Sequence, residues 1–145
     1  MGRLFLLARE DFIARVASKM AGAGDVVLHA RRGLLPFIDV EGGTRSIDLA
    51  RQLGVTKQAV AQMVRDLETD GLVYRDVDAD DGRASLIRFT EAGLEYLFRM
   101  NKSMLQVERE YERMIGKDEM ERLRAALTVI AYPGEHSDGA GESAT

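Results

Sequence analysis

The sequence predicts a mainly α fold with a small β-wing, and three observations predict it. Apolar residues recur near the 3.6-residue helical period in long stretches at both ends of the chain. Two short amphipathic segments meet across Gly54, with Thr56 directly after. Two runs of strand-forming residues, Leu72-Val73-Tyr74-Arg75 and Ser85-Leu86-Ile87-Arg88-Phe89, enclose a polar stretch.

Each element has its own justification. From Leu4 to Met20 the large apolar residues fall at 4, 5, 7, 12, 13, 16 and 20, the broad stripe of an amphipathic helix. Ala21-Gly22-Ala23-Gly24 breaks it, and Asp25 is placed to cap a second helix running through Val26-Val27, Leu34-Leu35 and Phe37. Pro36 inside that run should kink or divide it. Glu41-Gly42-Gly43 reads as a turn and Thr44-Arg45-Ser46 as a short strand. Ile47, Leu49, Ala50 and Leu53 then give a short helix an apolar side, and Gly54 stops it as the residue after the helix.

Thr56 is the natural N-cap of the next helix, whose inward stripe is Ala59, Val60, Met63, Val64 and Leu67. Its outward stripe is Lys57, Gln58, Ala61, Gln62, Arg65 and Asp66, and Gly71 ends it. The two strand runs follow, with Asp76 to Arg83 as a polar loop between them. Thr90 caps a long helix carrying Leu94, Leu97, Phe98, Leu105, Tyr111 and Ile115, and Gly116 breaks it. Met120, Leu123, Leu127 and Ile130 form a heptad-like seam on the last helix. Pro133-Gly134 closes the folded part, and the Gly, Ser and acid-rich run from Glu135 to Thr145 predicts a disordered tail.

This gives N-terminal helices over 1–43, a two-helix and hairpin unit over 44–93, C-terminal helices over 94–133 and a tail over 134–145, all in one structural domain. No apolar run reaches the roughly 20 residues of a membrane span. Leu4-Phe5-Leu6-Leu7-Ala8 meets Arg9, Glu10 and Asp11 too soon for a signal peptide, so the expected location is cytoplasmic.

Composition narrows the function. With no cysteine, thiolate chemistry, disulfides and sulfur-ligated metals are excluded, and His29 and His136 supply little for imidazole catalysis. No nucleophile, base and acid set, no phosphate loop and no metal-ligand spacing occurs, so neither an enzyme nor a cofactor or metal site is expected. The net charge of −4 opposes a nucleic-acid partner at first sight, and residues 44–93 carry seven basic against nine acidic side chains. Placement rather than total must decide.

Two short helices joined by a glycine turn and followed by a hairpin make a winged helix-turn-helix. One helix braces, the other offers a polar face to a major groove, and the hairpin sets an arginine against a minor groove. Lys57, Gln58, Gln62 and Arg65 lie on that outward face, where Gln suits adenine and Arg suits guanine edges; the plain alternative is a solvated helix face. Thr56 serves as cap and as phosphate contact.

The stretch from Ser46 to Arg75, then Asp81-Gly82-Arg83 and Phe89-Thr90-Glu91-Ala92-Gly93, resembles the MarR family of bacterial transcription regulators. Four pieces occur in the family's order: Val60 to Glu68, Gly71 to Arg75, Asp81 to Arg83 and Phe89 to Gly93. The resemblance implies a homodimer held by its long terminal helices, Leu4 to Met20 and Met120 to Tyr132, on a pseudo-palindromic double-stranded operator. It implies Arg83 as the wing-tip arginine in the minor groove, with Asp81 as its brace, and a repressor released by a small ligand. Arg75 follows the motif, either toward DNA or as partner of a helix acid. Small aromatic acids bind relatives between the dimer helices and the reading unit, which makes Phe12, His29, Arg32 and Phe37 the candidate ligand contacts. Asp66 and the wing acids Asp76, Asp78, Asp80 and Asp81 depart from the pattern and oppose phosphate. They motivate the alternative of a winged-helix protein-interaction module that does not bind DNA.

Overall fold

The computed structural model describes residues 1–21 and 32–132. The expected Asp25 cap, Val26-Val27, His29 and the tail beyond Tyr132 lie outside them. The chain divides into two compact units, Met1–Met104 and Leu105–Thr145. In order it forms α1 (Gly2–Ala21), a 3-10 helix (Arg32–Phe37), β1 (Thr44–Arg45), α2 (Ser46–Leu53) and α3 (Lys57–Thr69). Strands β2 (Val73–Val77) and β3 (Ser85–Phe89) follow, then α4 (Glu91–Ile115) and α5 (Lys117–Ala131). The mainly helical fold with a small winged sheet is the one expected.

The sheet is antiparallel in the order β1-β3-β2. Register runs from Val73 opposite Phe89 to Val77 opposite Ser85, and Thr44 and Arg45 face Ile87 and Leu86. Leu34, Leu35, Leu49, Val60, Val64, Leu67 and Ile87 are fully buried in this first unit. Helix α3 therefore buries Val60, Val64 and Leu67 of the stripe its sequence predicted, with Ala59 and Met63 half-buried, and burying each such aliphatic side chain contributes roughly 1.5–3 kcal/mol.

Turn chemistry sets the boundaries. Gly54 caps α2 at φ 63°, its N–H reaching the Ala50 and Arg51 carbonyls, and the Thr56 hydroxyl accepts Ala59 N–H at 3.1 Å. At the far end of the hairpin Thr90 links two elements. Its hydroxyl donates to the Gly71 carbonyl at 2.6 Å and accepts Gly93 N–H at 3.0 Å. Gly93 is needed for space: a Cβ there would lie 1.8 Å from the Leu72 carbonyl oxygen. The first turn of α4 thus rests directly on the backbone that leaves α3.

Three expectations are corrected. Leu34, Leu35 and Phe37 belong to a six-residue 3-10 helix rather than an α-helix, because Pro36 has no N–H to give and fixes its own φ. Asp76 and Val77 pair with Leu86 and Ser85 as strand, so the loop begins only at Asp78. In α4 the buried residues are Tyr96, Leu97, Met100, Ser103 and Val107, whereas Leu94, Phe98, Leu105 and Ile115 are exposed and Tyr111 half-buried. The stripe at 96, 100, 103 and 107 keeps the 4, 3, 4 rhythm but starts at a tyrosine and includes a serine, which a search for large aliphatics passes over.

Helix α1 buries only Val16 and Met20, with Leu4, Phe5, Leu6 and Leu7 at least half exposed. In the second unit Val107 and Met120 are buried, while Leu123, Leu127, Val129 and Ile130 are exposed. No helix among the described residues is long and apolar enough to cross a membrane.

Candidate nucleic-acid interface

Helix α3 presents Lys57, Gln58, Gln62 and Arg65 as exposed side chains, with Thr56 exposed at its N-terminus. Positions 58, 62 and 65 repeat at spacings of four and three, so they share one face of the helix. Ala61 and Asp66, expected on the same face, are half-buried at its margins. Arg65 donates to the Gln62 amide oxygen at 2.7 Å, and the Gln62 amide nitrogen donates to Asp66 at 3.1 Å. This chain fixes the orientation of the Gln62 amide and holds Arg65 along the helix face.

The hairpin turn spans residues 78–84 and is tied internally. Asp78 N–H donates to the Ala84 carbonyl at 3.1 Å, and Ala84 N–H to the Asp81 carbonyl at 2.8 Å. The Asp81 carboxylate accepts Arg83 N–H at 3.1 Å, an Asx turn that points its charge into the loop backbone. The Arg83 side chain is left projecting, exposed and outside every ion pair among the described residues.

The acids of the unit are distributed unequally. Asp76 pairs with Arg88 at 2.9 Å, Glu68 with Arg75 and Asp48 with Arg51 at 3.2 Å, and Asp70 with Arg32 at 3.2 Å. Asp78 is 5 % exposed and meets Arg45. The backbone N–H of Asp80 holds the Asp78 carboxyl below its ordinary pKa of 3.8; burial pushes the other way and Arg45 adds to the lowering. Arg45, Arg51, Arg75 and Arg88 thus have carboxylate partners, and Arg75 lies against a helix acid. Lys57, Arg65 and Arg83 have none among the described residues.

Sequence reasoning missed the Arg45–Asp78 and Arg88–Asp76 pairs. Arg45 and Asp78 are 33 residues apart, and nothing local marks them as partners. Strand alternation was the available signal for the second pair, since Arg88 sits diagonally across the ladder from Asp76.

The candidate ligand contacts are not brought to one place. Phe37 is exposed and lines an open groove of about 560 Å³ with Pro36, Val40, Glu41, Thr44 and Gln52; neither Phe12 nor Arg32 lines it. Phe12 is half-buried on α1. Arg32 stands 4.7 Å over the ring of buried Tyr96, besides its pair with Asp70. Among the described residues no group of three or more metal-ligating side chains occurs.

Residues 30–84 match the MarR family model. An HTH-type transcriptional regulator of Bacillus subtilis (strain 168), YdgJ, is 30% identical over 84 residues, 58% of this chain and 49% of its own length, so the match spans about half of that relative. A MarR-family regulator from Rhodococcus sp. RHA1 superposes with TM-score 0.75 at 22% identity, covering 91% of this chain and 92% of its own. CouR of Rhodococcus jostii RHA1, bound to p-coumaroyl-CoA, gives 0.73 at 23% identity over 91% and 92%. CouR bound to a 23-mer DNA duplex gives 0.75 at 23% identity over 90% and 92%. The family match over residues 30–84, the relative and the fold agree with the motifs from Ser46 to Gly93, and the chain is similar to the MarR family and has its winged helix-turn-helix fold.

Proposed function

We propose that this chain is a sequence-specific double-stranded DNA-binding transcription regulator. It acts as a homodimer, reading bases with Gln58, Gln62 and Arg65 of α3 and reaching a minor groove with Arg83. One observation carries the reading: Lys57, Arg65 and Arg83, the cations of residues 44–93 without a carboxylate partner among the described residues, all stand on the helix and loop that the fold projects. Phosphate and base edges need unspent cations, and bulk charge counts spent and unspent alike. Thr56 and Lys57 serve the phosphates at the α3 N-terminus, where helix amides also point. Arg75, turned to Glu68, makes at most a backbone contact.

The exposed apolar residues of α1, and separately those of α5, are the surfaces a second copy would cover. Repression relieved by a small ligand is the finer part of the proposal. It is supported by CouR, a transcriptional repressor seen with DNA and with p-coumaroyl-CoA. Of the candidate ligand contacts within the described residues, Phe37 lines the open groove, and Phe12 and Arg32 do not. Such a regulator works in the cytoplasm, beside its DNA.

The test is fluorescence anisotropy of the purified protein on its own upstream intergenic DNA against a scrambled duplex of the same composition. The expected result is tighter binding to the upstream duplex by at least roughly a thousand-fold, the usual specificity ratio. Equal affinity at low salt would leave the protein-interaction module as the better reading.

A further inference from the structure

Asp78 stands where β2 gives way to the wing turn, yet it is buried. Both carboxylate oxygens are used. Oδ1 accepts Asp80 N–H at 2.9 Å, and Oδ2 takes the Nε and Nη2 of Arg45. Arg45 ends β1 and is the N-cap residue of α2, with backbone torsions of −69° and 142°. One ion pair therefore joins the residue just before the bracing helix to the root of the wing. A carboxylate this buried persists only with such partners, and the paired arginine has spent the fork with which it would otherwise grip a phosphate.

We propose that Arg45 is a positioning residue for DNA reading: without touching DNA, it fixes the wing turn, and through it Arg83, to the frame of β1 and α2. Its effect is on where Arg83 stands. The Asp78 carboxylate orders the turn through Asp80 N–H, and the Asp81 carboxylate orders the next step through Arg83 N–H. Arg45 anchors the first of these two carboxylates. Asp78, on this account, is an internal counter-ion of the wing and adds no repulsion toward phosphate. The proposal rests on the DNA-binding reading above.

A double-mutant cycle in the full chain tests it, with DNA affinity and wing amide hydrogen exchange measured side by side. Arg45→Ala is expected to lower affinity roughly ten-fold, the scale of one arginine contact. It should also speed exchange of the Asp78 and Asp80 amides about ten-fold, while the Val64 amide in α3 stays unchanged. Arg45→Ala combined with Arg83→Ala should bind no more weakly than Arg83→Ala alone, because one acts through the other. Additive losses would overturn the proposal by making Arg45 an independent DNA contact, and unchanged wing exchange would overturn it by leaving the turn fixed without Arg45. Asp78→Asn, which keeps the size and drops the charge, is carried in parallel and should show the same pattern, so a poorly folded Arg45→Ala does not decide the matter. If the unsubstituted protein shows no preference for its upstream duplex, the DNA reading itself has failed and the positioning role falls with it. That failure is recognised because the wing exchange still responds to Arg45→Ala.

Discussion

Arg83 and Asp81 are neighbours but one residue, and their charges point to different ends. Asp81 spends its carboxylate on the Arg83 backbone N–H, whereas the Arg83 guanidinium makes no ion pair among the described residues. Arg83→Ala should therefore cost about 1–3 kcal/mol of DNA affinity and flatten the salt dependence by about one phosphate equivalent, read from anisotropy over a salt series. Asp78 makes a prediction of opposite kind, about the free protein. Its carboxyl ionises below the ordinary value of 3.8 in the folded chain, so the unfolded chain binds its proton first as acid is added. The stability it contributes is complete above pH 3.8 and is lost as pH falls from there through its folded pKa. An acid titration of chemical stability should be shallower below that point for Asp78→Asn than for the unsubstituted protein. Gly93 is constrained by space alone. Gly93→Ala sets a methyl group against the Leu72 carbonyl and should cost about 3 kcal/mol in urea unfolding, since backbone rather than a flexible side chain must yield.

At the scale of elements, α3 depends on its two ends as much as on its apolar stripe. Thr56→Ala removes the acceptor of Ala59 N–H and should lower stability by about 1 kcal/mol, measurable by thermal unfolding. Helix α3, its cap, the Gly54 stop and both strands were legible because each is specified locally, by period, cap and turn residue. The elements that escaped were specified elsewhere. Pro36 marks a break in its run without saying that the remaining residues form a 3-10 helix. The buried face of α4 turns on Tyr96 and Ser103, which hydropathy does not rank as core, so the outer apolar residues Phe98 and Leu105 draw the eye instead. In the candidate site the outward residues of α3 and the loop arginine were readable from their positions. The ion pairs that sort spent from unspent charge were not, since Arg45 with Asp78 and Arg32 with Asp70 each join residues more than thirty positions apart.

For the whole molecule, net charge is a poor guide to partner. A chain at −4 still offers three cations in residues 44–93 without a carboxylate partner among the described residues, and five of the nine acids there, Asp48, Glu68, Asp70, Asp76 and Asp78, are answered by arginines. A second whole-molecule feature is the exposed apolar surface on α1 and on α5, which a lone soluble chain rarely sustains. Sedimentation equilibrium is expected to give twice the chain mass at micromolar concentration, and a monomer there would remove the two-fold operator. On the proposed reading, both features belong to a dimer that would recognise a two-fold DNA sequence. The most direct measurement is selection from a random duplex pool by the purified full-length protein, followed by sequencing. The account predicts enrichment of a pseudo-palindrome with half-sites about one helical turn apart, lost when Gln62 and Arg65 are replaced by alanine. A pool that stays random through successive rounds at low salt would contradict it.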